Sequence, residues 1–115
     1  MMRDRIYHIC REEEWRAAEA AGRYEGSSQD KADGFIHFSS RTQVEGSAVK
    51  HRAGQSGLLL LAVDPGLLGA SLKWEESRAG QLFPHLYGAL PLEAVLDVYP
   101  LPLDEAGRHV FPDEF

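Results

Sequence analysis

The chain is short of cysteine, of positive charge and of long apolar runs, and each shortage narrows its class. Cys10 is the single cysteine. It cannot form an internal disulfide, so the fold is expected to stand on its core in a reducing, cytoplasmic setting. The longest apolar stretch, Leu58 to Val63, is too short to cross a bilayer, and no membrane association is expected. Met1-Met2-Arg3-Asp4-Arg5 leads into no long apolar run, so no signal peptide is read there. Lys and Arg number 12 against 18 Asp and Glu, a formal net charge of −6. That balance repels a phosphate backbone and disfavours bulk nucleic-acid binding, yet leaves room for a local basic pocket holding a small anion. Gly22, Gly26 and Gly34 lack the spacing of a phosphate-cradling loop. No His-x-x-x-His or Cys-x-x-Cys pair occurs, so no metal centre is expected, although His8, His37 and His85 could supply three nitrogen ligands.

What is present fits one folded domain over residues 1–115. A chain of this size can bury roughly 65% of its unfolded surface. Arg5 to Cys10 reads as a strand and Arg11 to Ala21 as a helix, with Glu12, Glu13 and Glu14 in its first turn and Gly22 as its stop. Tyr24 to Asp33 is polar and reads as a loop. Gly34 to Ser39 reads as a second strand. Ser40 with Gln43, or Thr42 with Glu45, opens a helix from about Arg41 to Arg52. Leu58 to Val63 is a central strand buried on both faces. Leu72 to Glu75 is a short strand, and Glu76 to Phe83 a polar loop. Pro91 opens one helical turn over Leu92 to Val95. Leu96 to Leu101 is a last strand near a sheet edge, and the tail from about Asp104 is expected to be loosely held. The fold class is α+β, with a small split or strongly bent mixed sheet and two main helices.

Three histidines stand in short apolar or aromatic settings: Ile6-Tyr7-His8-Ile9, Phe35-Ile36-His37-Phe38-Ser39 and Phe83-Pro84-His85-Leu86-Tyr87-Gly88. Histidine is the side chain most readily tuned to exchange a proton near neutral pH. The pattern points to a polar, histidine-lined cleft. His8, mid-strand, suits either a core imidazole bonded to backbone or a ligand contact. Strand alternation puts Phe35, His37 and Ser39 on one face and Ile36 and Phe38 on the other, a face that suits a cleft or an exposed surface. Glu75 suits a general base or a carboxylate that stabilises a developing cationic sugar; the alternative is a solvated turn paired to Lys73 or Arg78. Arg78 suits an anion clamp, and Trp74 a stacking wall or core. The segment Phe83 to Gly88, with Tyr87, suits a shaped pocket wall, and His85 is the strongest single candidate.

Asp33-Gly34-Phe35-Ile36-His37-Phe38-Ser39, Leu72-Lys73-Trp74-Glu75-Glu76-Ser77-Arg78-Ala79-Gly80 and Phe83-Pro84-His85-Leu86-Tyr87-Gly88 resemble the bacterial family catalogued as domain of unknown function 952. That resemblance runs up to about Leu101 and carries no activity. The order of elements, from the His8 strand through the His37–Ser39 segment to Tyr87–Val95, is also similar to the RNA 2'-phosphotransferase branch of the ADP-ribosyltransferase fold. This resemblance implies a split-sheet fold with a nicotinamide-type cleft that takes NAD as an electrophile, or another small anionic, nucleotide-like ligand. His8 and His37 would then hold ribose or phosphate and Arg78 the anion. Glu75 or His85 would assist charge development or proton transfer, with Phe35, Ser39, Trp74 and Tyr87 about the ligand. A non-catalytic module binding a small metabolite or a protein partner is the alternative use of the same pocket.

Overall fold

The computed structural model describes residues 5–77 and 80–115. The strands are β1 (Ile6–Arg11), β2 (Arg23–Tyr24), β3 (Ile36–His37), β4 (Ser39–Ser40), β5 (Leu58–Val63), β6 (Leu72–Glu76), β7 (Leu82–Leu86), β8 (Leu90–Pro91) and β9 (Val95–Leu101). The helices are α1 (Glu12–Ala21), α2 (Ser28–Asp33) and α3 (Val44–Arg52). The strands divide into a four-stranded sheet in the order β4-β1-β5-β9, a three-stranded sheet β3-β7-β6 and a two-stranded ribbon β2-β8. Every pairing among them is antiparallel, so the sheets are not mixed as expected. Short connections explain this: five residues separate β6 from β7, too few for the crossover that a parallel pair requires.

The run Leu58 to Val63 builds the core on both sides of the large sheet. Leu59, Leu61 and Val63 pack with Ile6, Cys10, Trp15 and Ala18 on the α1 side. Leu58, Leu60 and Ala62 pack with Tyr7, Ile9, Val44 and Ala48 on the α3 side. Period-two alternation in a strand covered on both faces therefore accounts for six consecutive apolar residues. Gly22 closes α1 in the left-handed conformation at φ 86°, and its N–H reaches the Ala18 carbonyl.

Three segments depart from the expected pattern. The polar stretch from Tyr24 to Asp33 holds α2, a six-residue helix without an apolar stripe. Its formation rests on a capping box: the Asp30 amide donates to Ser27 Oγ, and the Ser27 amide donates to Asp30 Oδ2 at 2.7 Å. The Gly34 to Ser39 segment is not one strand. It pairs with β7 as β3, breaks at Phe38, and pairs with β1 as β4. Phe38 is buried, and its N–H donates to the Pro84 carbonyl at 3.0 Å, so the break is itself tied down. The segment from Leu82 to Leu86, read in part as a loop, is strand β7, paired along its whole length with β6.

The tail after Asp104 is also held, contrary to expectation. Its turn closes with Asp104 N–H donating to the Arg108 carbonyl at 2.8 Å. Phe111 and Phe115 then pack against the α3-side core. Phe115 meets Tyr7 edge-on at 5.3 Å, and the Arg41 guanidinium lies 3.5 Å from the Phe115 ring centre. Aromatic burial supplies what the tail's polar sequence lacks.

One shortfall in the sheet opens the site. β4 covers β1 only at Ile6 and Tyr7. From His8 to Arg11 the outer edge of β1 has no strand partner in the β4-β1-β5-β9 order, and a cleft of about 630 Å³ lies along it.

Candidate functional site

His37 and His85 are direct cross-strand partners on β3 and β7, so both rings stand on one face of the small sheet, 5.8 Å apart. Lys73 is opposite His85, and Glu75 opposite Phe83, on that same face. His85 Nδ1–H donates to Glu75 Oε1 at 2.8 Å. The Tyr87 hydroxyl donates to the same oxygen at 2.6 Å. These two donors, Tyr87 first, draw the Glu75 carboxyl below its usual range, and the bond to Glu75 raises the Tyr87 hydroxyl above its own. Phe35 lies flat on the His85 ring at 4.1 Å and touches the rings of His37 at 4.6 Å and Tyr87 at 5.3 Å. His85 is 6% exposed, and among the described residues its Nε2 has no hydrogen bond.

His37 lies between two acids of α2. Nδ1–H donates to Asp30 Oδ1 at 2.6 Å, and Nε2 stands 3.0 Å from Asp33 Oδ2 as an ion pair. The Asp30 bond raises the His37 pKa above its usual value, against an opposing push from burial. Asp30 is 3% exposed. Burial alone would raise its carboxyl, but donation from the His37 ring and from the Ser27 and His37 amides outweighs this and leaves it well below the carboxylate range.

His8 sits one step behind this wall, 3% exposed. Nδ1–H donates to the His37 carbonyl at 2.6 Å, and the Tyr24 hydroxyl donates to Nε2 at 2.7 Å. Burial lowers the His8 pKa, consistent with a neutral ring in that tautomer. Tyr24 and Cys10 are buried beside it, and burial pushes both upward, Cys10 to about 12. A Cys10 thiolate is therefore not available for nucleophilic chemistry.

His8, His37 and His85 all line the one cleft, with Ser39, Ser47 and Ser77. Its other wall comes from β1, α3 and the segment after α3, and carries Arg11, His51, Arg52 and Gln55. Of the expected site residues, Phe35, His37, Glu75, His85 and Tyr87 form one contiguous cluster. His8, expected to touch ribose or phosphate, spends both ring nitrogens inside the protein. Ser39 is buried and shares a 2.7 Å hydrogen bond with Ser47 rather than facing the His37 ring. The sheet switch at Phe38 turns it away from the Phe35–His37 face. Trp74 pairs with Pro84, on the opposite face from Glu75 and His85, and is 48% exposed. Arg78 lies outside the described residues. No group of three or more His, Cys, Asp or Glu among the described residues is arranged to hold a metal ion. No described helix is long and apolar enough to cross a membrane.

A family model described as "Protein of unknown function (DUF952)" matches residues 9–98. The chain belongs to the DUF952 family. It is similar to the crystal structure of protein CC0527 from Caulobacter crescentus at 48% identity and a TM-score of 0.89, covering 92% of this chain and 93% of that one. A double-mutant crystal form of the same protein matches over the same shares at 47% identity, with a TM-score of 0.89. Its solution NMR structure matches at 49% identity over 90% of each chain, with a TM-score of 0.80. No curated protein matches. The DUF952 match includes His37, Glu75 and His85, but His8 falls one residue before it and the aromatic tail after it.

Sequence reasoning missed Tyr24, Asp30 and Asp33, the residues that set the states of His8 and His37. A signal for Asp30 was present: Ser27-x-x-Asp30 is a short version of the capping box. The arginines of the far wall carried no local signal, because only the fold brings Arg52 of α3 beside the β1 edge.

Proposed function

We propose that the cleft binds a small nucleotide-like ligand of the NAD type and that the protein is a transferase-like enzyme built on an ADP-ribosyltransferase-like fold. One observation carries the reading. Among His8, His37 and His85, only His85 keeps a ring nitrogen unbonded among the described residues, and its other nitrogen is fixed by Glu75. An imidazole oriented by a carboxylate, on the wall of a cleft, is an arrangement suited to taking or giving a proton at Nε2. Asp30 and Asp33 place two carboxylates on this wall beside His37, and Glu75 adds a third behind the His85 ring. An acidic wall favours a ligand whose reacting end becomes positive, as a sugar does when its base departs. The division of the strands between two main sheets, with the chain crossing between them at Phe38, agrees with the split-sheet architecture that the element order suggested.

The test is calorimetric titration of the protein with NAD and ADP-ribose, with His85→Ala alongside. Binding that His85→Ala weakens by about tenfold supports the reading. No heat with either ligand up to millimolar concentration overturns it. A second reading, a binding module without turnover, is favoured by His37, whose two nitrogens are both occupied. It predicts binding of the ligand without release of nicotinamide.

A further inference from the structure

We propose that the Arg11–Arg52 end of the cleft is a phosphate subsite, so that the ligand spans from the His37–His85 wall to a phosphate or diphosphate held by two guanidinium groups. The inference rests on the nucleotide-like reading above and names which part of the ligand is held, and by what.

Three observations support it. The first is charge. Acids outnumber bases in this chain, and Arg5, Arg16, Arg23 and Arg41 each pair with a carboxylate. Arg11 and Arg52, which both line the cleft, have no carboxylate ion pair among the described residues. The acid on this wall, Glu14, turns back to accept the Arg11 backbone N–H at 3.0 Å. The second is preorganisation. Arg52 is half-buried, with Nη2 donating to the Ile9 carbonyl at 3.2 Å and Nη1 to Gln55 Oε1 at 3.3 Å. Two of its five N–H groups fix the fork, and three remain. A guanidinium held in this way matches phosphate oxygens at low entropic cost. The third is placement. Arg11 and Arg52 line the same cleft as His37 and His85, so one ligand can meet both ends of it.

The experiment titrates isotope-labelled protein with ADP-ribose, ADP and inorganic pyrophosphate, following the arginine Nε–H signals. Arg11→Gln, Arg52→Lys, His85→Ala and, as a surface control, Arg16→Gln are titrated in parallel. Arg11 is exposed, so its replacement leaves the core intact; a thermal melt verifies folding of Arg52→Lys. The expected result is that pyrophosphate shifts the Arg11 and Arg52 signals. Arg11→Gln and Arg52→Lys should each weaken ADP-ribose by about tenfold, and Arg16→Gln should leave it unchanged. ADP-ribose that binds Arg11→Gln and Arg52→Lys as well as wild type, but not His85→Ala, overturns the subsite and leaves the wider reading standing. Pyrophosphate seated at the two arginines, with ADP-ribose indifferent to His85→Ala, overturns the wider reading and keeps the subsite. Silence from every probe overturns both.

Discussion

Asp30 decides more of this site than any other residue. One carboxylate accepts the His37 ring, the His37 amide and the Ser27 amide, and it stands 3.6 Å from His8 Nε2. Asp30→Asn removes the charge that raises the His37 pKa. We expect it to bring the His37 titration down toward pH 6.5 and to reduce stability by about 2–3 kcal/mol in urea melts. The pH dependence has two opposing limbs. His37 is raised in the folded state, so its contribution is complete below about pH 6.5 and is lost as pH rises through its folded value. His8 is lowered, so the unfolded chain takes up a proton there first, and stability falls as pH drops below about 6.5. Asp30 is lowered too, so its contribution is present above about pH 4 and is lost as pH falls further. Urea melts from pH 5 to 9 should therefore show an alkaline decline in wild type that His37→Gln removes. An unchanged alkaline limb in His37→Gln would assign it elsewhere. None of this was legible at His37 itself, because the sequence showed an imidazole among apolar neighbours and gave no sign of its two acids.

Among the elements, α2 is the piece that the sequence hid and the site needs. α1 and β5 announce themselves through a buried Trp15–Ala18 stripe and a six-residue apolar run. α2 has neither, being six residues of largely polar sequence, and it exists by capping and by its ties to β3. Ser27→Ala should cost about 1 kcal/mol and speed amide exchange across α2 before other elements respond. Gly26 tests the same element from outside. It holds φ +97°, and a Cβ there would stand 2.7 Å from Asp30 Cβ. Gly26→Ala should therefore displace α2 and disturb the His37 ring signals, whereas the same change at Gly46, with open space around it, should not. The break between β3 and β4 was equally hidden. Alternation along Gly34 to Ser39 describes one strand well, and only the Pro84 carbonyl across the chain marks Phe38 as the crossing point.

Across the whole molecule, two antiparallel sheets and a returning tail leave one edge of β1 open, and the cleft occupies that opening. The fold class was legible because strand runs, the Trp15–Ala18 stripe of α1 and the capping pattern ahead of α3 are local signals. The tail was not, since Phe115 gains Tyr7 and Arg41 as partners from the other end of the chain. Phe115→Ala should lower stability by about 1–3 kcal/mol, read as a lower urea midpoint at unchanged slope. Long-range nitrogen–proton spectra of the histidines read the states of the three rings around the cleft directly. The expectation is that the His37 ring titrates above the His8 ring, that His8 carries its proton on Nδ1, and that His85 carries a proton on Nδ1 facing Glu75, with His85 Nε2 shifting when ADP-ribose is added. A His85 ring protonated only at Nε2, with its signals unmoved by saturating ADP-ribose, would contradict it.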